Sequence, residues 1–476
     1  VWKIERCPAR AAPSGERSMF SRHALPAPCL DGTAASFYYR PSDVNSTGWL
    51  LFFEGGGWSL SSGDFIARSV APQGSSRSHP AEVVASKVSL SPIGWALEQK
   101  TATGAQLAGF NVVIFRYCDG ASFSGGAVIG NPARASVWLN GKRTRLAVTS
   151  EGRAIVTAAL ERLTRNLGMS AATDVLVSGC SAGGLAAMLW ASEIKRTILA
   201  SRRGTFLVRP PLRRFKVAVF SGIFHGAHQR AGSAQSISPH ARVMKSMSRL
   251  ANVSHPPGCR HDDTWRCLTG VEPLATMPAH IPTFVEQSAF DKWEVGCNLA
   301  ATPYDEDGIK YQYINCSKGA WETCLSHMTP LSAARIASNC SAAQRAQLDD
   351  WQEAVWSLLT EPNSPLGRPG SGGFVHGCHT HCPGRLHHIK AGNTTLDQAL
   401  AAWWAADSRA PPGTHAHVGC LQRWSTEADG RADHPRRCGR LGGHQYCGRL
   451  FPWGDPRRGA LRDALWIERA MRRQAV

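Results

Sequence analysis

The stretch Asp174-Val-Leu-Val-Ser-Gly-Cys-Ser-Ala-Gly-Gly-Leu185 decides how the rest of the chain is read. Its first five residues are a short, mostly apolar run of strand type, Gly179 ends that run, and the spacing from Ala182 to Ala191 is helical. A G-x-S-x-G between a strand and a helix lets the chain turn sharply enough to present Ser181 Oγ at the end of a sheet. The amide of Ala182, at the start of the helix, then points at a developing oxyanion. The plainer reading, a small-residue turn packing helix on strand, does not need that context. Outward from this point, Trp49–Phe53 and Val112–Tyr117 read as buried strands and Ile281–Phe284 as another. Gly152–Leu167 is a helix by the spacing of Ile155, Ala158, Ala159, Leu160 and Leu163. Strands alternating with helices predict an α/β fold with a mostly parallel central sheet flanked by helices. Ser59–Pro92 reads as a long surface excursion, and Glu361–Gly373, with its glycines and prolines, as a loop.

A second motif, Glu54-Gly55-Gly56-Gly57-Trp58, directly follows the Trp49–Phe53 strand. Glycines after an early strand let backbone N–H groups approach a substrate closely, the arrangement of α/β-hydrolase oxyanion donors. A phosphate loop is the other use of such a run, but no Lys-Ser/Thr or dinucleotide spacing follows. A serine nucleophile needs a base and an orienting acid, in the chain order Ser, Asp/Glu, His. The late cluster Phe374-Val-His376-Gly-Cys378-His379-Thr-His381-Cys382 offers three histidines. For the acid, Asp291 lies in the right window after Ile281–Phe284, with Glu286 and Glu294 as alternatives that spacing alone leaves open.

These residues together resemble the pectin acetylesterase / Notum family of secreted carboxylesterases, with the plant-type branch nearest. The resemblance runs from about Leu30 to Cys420. It rests on Asp31-Gly-Thr33, Leu51-Phe-Phe-Glu-Gly-Gly-Gly-Trp58, Gly74-Ser-Ser76, Arg116-Tyr-Cys-Asp-Gly-Ala-Ser-Phe-Ser-Gly125, Ser178-Gly-Cys-Ser-Ala-Gly-Gly-Leu185, the Ala-Phe-Asp-Lys-Trp segment ending at Trp293, and His379-Thr-His-Cys382. It implies an α/β-hydrolase-like fold with long disulfide-stapled loops. It also implies Ser181 as nucleophile, Asp291 as acid, and oxyanion amides from Gly57, Trp58 and Ala182. The family's base directly precedes a cysteine, which selects His381. No cofactor or metal is called for. The implied substrate is an O-acetyl ester on pectin or a related polysaccharide; a Notum-like deacylase of a lipid-modified protein and an inactive binding module are the alternatives. Two departures stand out. Ser59 and Phe65 occupy positions where the family has a cysteine pair, which reads as a lost disulfide. Phe220-Ser-Gly222 replaces the family's Asp-Ala-Gly, so one polar pocket residue is missing.

Composition sets the frame. The 476 residues are 43% apolar and 18% charged, which excludes a largely disordered chain. No apolar run reaches the roughly 18 residues of a membrane helix. Fifteen cysteines and five sequons, at Asn45, Asn252, Asn315, Asn339 and Asn393, fit a glycosylated, disulfide-bonded protein of the secretory pathway, and an odd cysteine count leaves at least one thiol over. No signal peptide is visible ahead of Val1, so processing or truncation is expected there. A net charge of +18 suits an anionic partner such as an acidic polysaccharide. Nucleic acid is not expected, because the basic tail with Trp424, Trp453 and Trp466 lacks zinc-finger and RNA-binding signatures. The cluster His376–Cys382 could be read as a zinc site, but no second ligand pair stands at a suitable distance. The expected organisation is an extension over 1–29, one esterase domain over 30–420 and a basic extension over 421–476.

Overall fold

The computed structural model describes residues 19–84, 93–97, 100–129, 136–139, 142–145, 148–203, 210–224, 239–299, 324, 339–360, 367–384, 386–391, 393–411, 414–418 and 446–447. Asn315, the three tail tryptophans and nearly all of the expected basic extension lie outside the described residues.

Among the described residues, ten strands form the main sheet: β1 (Met19–Pro28), β2 (Ala34–Arg40), β3 (Gly48–Phe53), β4 (Glu82–Val84), β5 (Asn111–Phe115), β6 (Asp174–Cys180), β7 (Arg214–Phe220), β8 (Thr283–Ser288), β9 (Gly372–His376) and β10 (His415–Val418). Their order is β10-β9-β8-β7-β6-β3-β5-β2-β1-β4. The strands from β10 to β5 run parallel, and β2, β1 and β4 extend the sheet in antiparallel fashion. This is the mostly parallel α/β-hydrolase-like sheet expected. Met19–Pro28, which precede the expected domain start at Leu30, form a strand of this sheet.

Burial on both faces explains why the central strands are continuously apolar. Side chains alternate across a strand, so Trp49, Leu51 and Phe53 of β3 enter one core while Leu50 and Phe52 enter the other. The first core is covered by α2 (Gly152–Asn166) and α3 (Ala182–Ala200), through residues such as Ile155, Leu163, Leu185 and Ile194. The second is covered by α4 (Leu396–Ala405), through Leu400, Trp403 and Trp404. The buried ammonium of Lys216 on β7 donates to the carbonyl oxygens of Trp403 (2.6 Å) and Ala406 (2.9 Å), capping the C-terminal end of α4 with a positive charge.

Two expectations need correction. Ser59–Pro92 is not simply a surface excursion. It holds α1 (Ser62–Ser69), N-capped by Ser61, and the edge strand β4, and it buries Phe65, Ile66 and His79. Apolar residues at helical spacing, masked by the surrounding Ser and Gly, drive that packing. The loop expected over Glu361–Gly373 ends sooner, because Gly372 and Gly373 already pair in β9 with Phe284 and Val285 of β8. A side chain at Gly372 would strike His415 of β10, so glycine here serves close strand approach.

Candidate active site

β6 ends at Cys180, and α3 begins at Ala182, leaving Ser181 alone to make the turn with φ 58° and ψ −130°. That conformation is disfavoured for a residue with a Cβ and persists because its neighbours hold it. Ser181 N–H donates to Phe220 O at 3.0 Å, and Ser181 O accepts from Gly184 N at 2.8 Å and Leu185 N at 3.1 Å. The flanking glycines are required by contact: a Cβ on Gly179 would strike Gly183 O, and one on Gly183 would strike Phe53 O. Ser181 is 6% exposed.

The glycine run lies against this turn. A Cβ on Gly55 would sit 2.6 Å from Cys180 O and 2.8 Å from Ser181 Cβ, so only glycine lets the run pass. Among the described residues, the N–H groups of Gly57, Trp58 and Ala182 have no hydrogen-bond acceptor. Amides without an internal acceptor are what an oxyanion donor requires, and the glycine run reaches the serine turn at Gly55.

Asp291 follows β8 and caps the short helix Lys292–Glu294, its Oδ1 accepting from Trp293 N (2.9 Å) and Glu294 N (3.0 Å). The same carboxylate holds His381 Nδ1, at 2.9 Å from Oδ1 and 2.7 Å from Oδ2. Asp291 is buried, whereas the His381 ring is 18% exposed. A Nδ1–H tied to a carboxylate leaves Nε2 as the free, basic nitrogen. His381 is brought toward Ser181 covalently, since Cys180 and Cys382, the residues before the serine and after the histidine, form a disulfide. Among the described residues no hydrogen bond joins Ser181 Oγ to His381; in unliganded sites such bonds are often long and tighten with substrate.

The alternatives that spacing left open separate cleanly. Glu286 pairs with His376, Oε1 to Nε2 at 2.7 Å, both fully buried. Cys378 N donates to His376 Nδ1, so the proton of that ring is on Nε2 and points at Glu286. Glu286 Oε2 also accepts from Ser221 N at 3.0 Å, and Ser221 Oγ accepts from Cys382 N at 3.0 Å. Glu286 and His376 therefore brace the loop that carries His381. Sequence reading missed Ser221 in that role; its only signal was its place in the departure Phe220-Ser-Gly222. In the His/Cys cluster, Cys378 and Cys382 are both disulfide-bonded and His376 and His381 each face a carboxylate. A second grouping, His261, Cys267 and Glu272, includes a cysteine bonded to Cys259, which cannot serve as a thiolate ligand.

Beside His381 lie Phe224 and Trp293, and these pack with Trp58 and His240 at ring-centroid distances of 4.6–5.8 Å. Ser59 and Phe65, at the places of the missing cysteine pair, are both buried. The sequence of the pectinacetylesterase family model matches residues 18–415, which takes in every group just described. The chain belongs to this family. As a pectinacetylesterase-family protein it is a carboxylic ester hydrolase. It is 26% identical over 391 residues to pectin acetylesterase 11 of Arabidopsis thaliana, covering 79% of this chain and 83% of that relative. Pectin acetylesterase 7 of the same plant is 27% identical over 396 residues, with the same coverage. A palmitoleoyl-protein carboxylesterase NOTUM of Schmidtea mediterranea is 23% identical over 298 residues, 60% of this chain and 50% of that one. The crystal structure of the Wnt deacylase Notum from Drosophila shares the fold, with a TM-score of 0.57 at 18% identity over 84% of this chain and 98% of the other.

Proposed function

We propose that the protein is a serine esterase that removes O-acetyl groups from pectin or a related cell-wall polysaccharide, with Ser181, His381 and Asp291 as its triad. The observation that carries this reading is the pairing of His381 Nδ1 with the buried Asp291 carboxylate on a loop disulfide-bonded to the residue before Ser181. His381 Nε2 takes the Ser181 proton as Oγ attacks the ester carbonyl. The N–H groups of Gly57, Trp58 and Ala182 receive the oxyanion, and His381 returns the proton to the departing sugar oxygen. Water, deprotonated by the same imidazole, then cleaves the acyl-enzyme. Asp291 keeps the ring in the Nδ1–H tautomer and stabilises the imidazolium. The mutual packing of Trp58, Phe224, His240 and Trp293 beside the base favours a short acyl group, since these rings fill space that a long chain would need.

The disulfides Cys29–Cys118, Cys180–Cys382, Cys259–Cys267 and Cys324–Cys340 support an extracellular setting. So do the exposed sequons at Asn45, Asn252, Asn339 and Asn393. No helix among the described residues is long and apolar enough to cross a membrane.

The test is hydrolysis of p-nitrophenyl esters from acetyl to dodecanoyl, with secreted wild type beside Ser181→Ala. Wild type should prefer acetyl, and Ser181→Ala should lose on the order of 10³-fold or more in kcat. A preference for eight carbons or more would shift the substrate to a lipid ester, as in the Notum relatives. Equal rates in the two proteins would remove the triad.

A further inference from the structure

The most distinctive sequence motif, Arg116-Tyr-Cys-Asp-Gly-Ala-Ser-Phe-Ser-Gly125, supplies no member of the proposed triad or oxyanion hole. Its place in the fold suggests its use. The segment is a tight buried turn with three left-handed residues, Gly120 (φ 67°), Ser122 (φ 52°) and Phe123 (φ 56°). The buried Asp119 carboxylate holds the turn together by accepting from Phe123 N at 3.1 Å and Gly125 N at 3.4 Å. The Tyr117 ring lies flat against the glycine run, where a Cβ on Gly56 would strike its Cδ1.

The carbonyl groups of that run are bound one by one. Gly56 O accepts from Arg68 Nη1 at 2.5 Å, Gly57 O from Tyr117 Oη at 2.6 Å, and Trp58 O from Arg68 Nη2 at 3.1 Å. Arg68 Nε reaches Ser59 Oγ at 3.0 Å, the position where the family's cysteine would be. Tyr117 Oη in turn accepts from Ser122 N at 3.0 Å, and Ser122 Oγ accepts from Trp58 Nε1 at 2.7 Å.

A trans peptide is planar, and its C=O and N–H point in opposite directions. Gly56 O shares a peptide plane with Gly57 N–H, and Gly57 O shares one with Trp58 N–H. Fixing each carbonyl therefore fixes the direction of the amide behind it. Ala182 N–H is aimed by the same logic, since Ser181 O is bound by Gly184 N and Leu185 N. We propose that Arg68 and Tyr117 are positioning residues for the oxyanion hole: Arg68 aims Gly57 N–H and Tyr117 aims Trp58 N–H. This rests on the serine-esterase reading above. The device suits the chemistry because oxyanion stabilisation depends on dipoles oriented before the charge develops. Burial pushes the Tyr117 phenol well above its ordinary range, so it stays protonated and donating. In Arg68 the forked guanidinium reaches two carbonyls and a hydroxyl at once, which a lysine cannot. Through Ser59, which stands at one of the two positions of the missing cysteine pair, Arg68 ties the loop at its far end.

The experiment uses Tyr117→Phe and, as a second variant at a less buried position, Arg68→Met. Active sites are counted by the stoichiometry of a fluorophosphonate that labels Ser181, and kcat and KM for p-nitrophenyl acetate are expressed per labelled site. The expected result is a kcat per site lowered roughly tenfold or more with KM held within about twofold, because an interaction made only in the transition state is lost. The rate of phosphonylation, which also builds charge on oxygen, should fall in parallel. Arg68→Lys should recover part of the loss. A fall in labelled fraction with kcat per site unchanged would show that these residues only support folding and would overturn the proposal; so would a loss confined to KM. Activity retained in Ser181→Ala would instead remove the reading on which it rests, a separate outcome.

Discussion

Asp291 does two jobs with one carboxylate, and the two can be separated chemically. Oδ1 caps the Lys292–Glu294 turn while both oxygens hold His381. Asparagine keeps an oxygen for the cap but loses the charge that favours the imidazolium and the correct tautomer. Asp291→Asn should therefore fold with a melting temperature near that of wild type while kcat drops on the order of 10⁴-fold, with KM little changed. Steady-state kinetics beside a thermal melt would check this, and a loss below tenfold would argue that Asp291 is not the orienting acid. Ser181 shows the same economy. Its left-handed geometry costs on the order of 1–3 kcal/mol and is held by backbone bonds to Phe220, Gly184 and Leu185. At this scale the sequence was informative where a motif forces geometry, as at Gly179, Ser181 and Gly183. It was ambiguous where the answer depends on which carboxylate meets which imidazole. Asp291 and Glu286 are five residues apart on adjoining elements, and only their opposite placement sends one to His381 and the other to His376.

The elements converge on the ends of parallel strands. β6 delivers Ser181, the turn after β3 brings the glycine run, the turn after β8 brings Asp291, and the loop after β9 brings His381. Two of these are joined by a covalent bond, because Cys180 ends β6 and Cys382 sits in the β9 loop with φ 56°, 202 residues later. Replacing both cysteines, Cys180→Ala with Cys382→Ala, should lower stability by about 3–5 kcal/mol, since an unfolded chain freed of so long a loop gains entropy. The His381 loop would then be held through Ser221 Oγ and Asp291, and kcat should fall more than KM rises. Denaturant unfolding and steady-state rates would show both effects. Unchanged stability and rate would mean that the hydrogen bonds alone place the loop. Element assignment from sequence succeeded for the central strands and for α2 and α3, whose apolar periodicity is strong. It failed over Ser59–Pro92, where serine and glycine conceal α1 and the strand β4 that pairs with β1.

On the scale of the whole molecule, the sheet is buried on both faces and its cores are filled by alternating residues of the same strands. The chain carries a net charge of +18, a long-range field that should matter for an anionic substrate and not for a neutral one. For acetylated polygalacturonate, kcat/KM should fall several-fold as ionic strength rises from about 0.02 to about 0.2 M, because the screening length shortens across that range. For p-nitrophenyl acetate it should stay nearly constant. Equal salt dependence for both would detach the charge from substrate attraction.

The sequence by itself determined the α/β architecture, the family, and the positions of Ser181 and the glycine run. These follow from local periodicity and from turns that only small residues can make, information carried within a few adjacent positions. Only the tertiary structure decided the rest: that Asp291 and not Glu286 holds His381, that Cys180 is bonded to Cys382, and that Arg68 and Tyr117 bind the carbonyls behind Gly57 and Trp58. Each of these joins residues distant in the chain, and chain order does not specify direction or distance in space. Hydrogen bonds and disulfides are set by positions to within a fraction of an ångström, and those positions exist only once the two cores have packed.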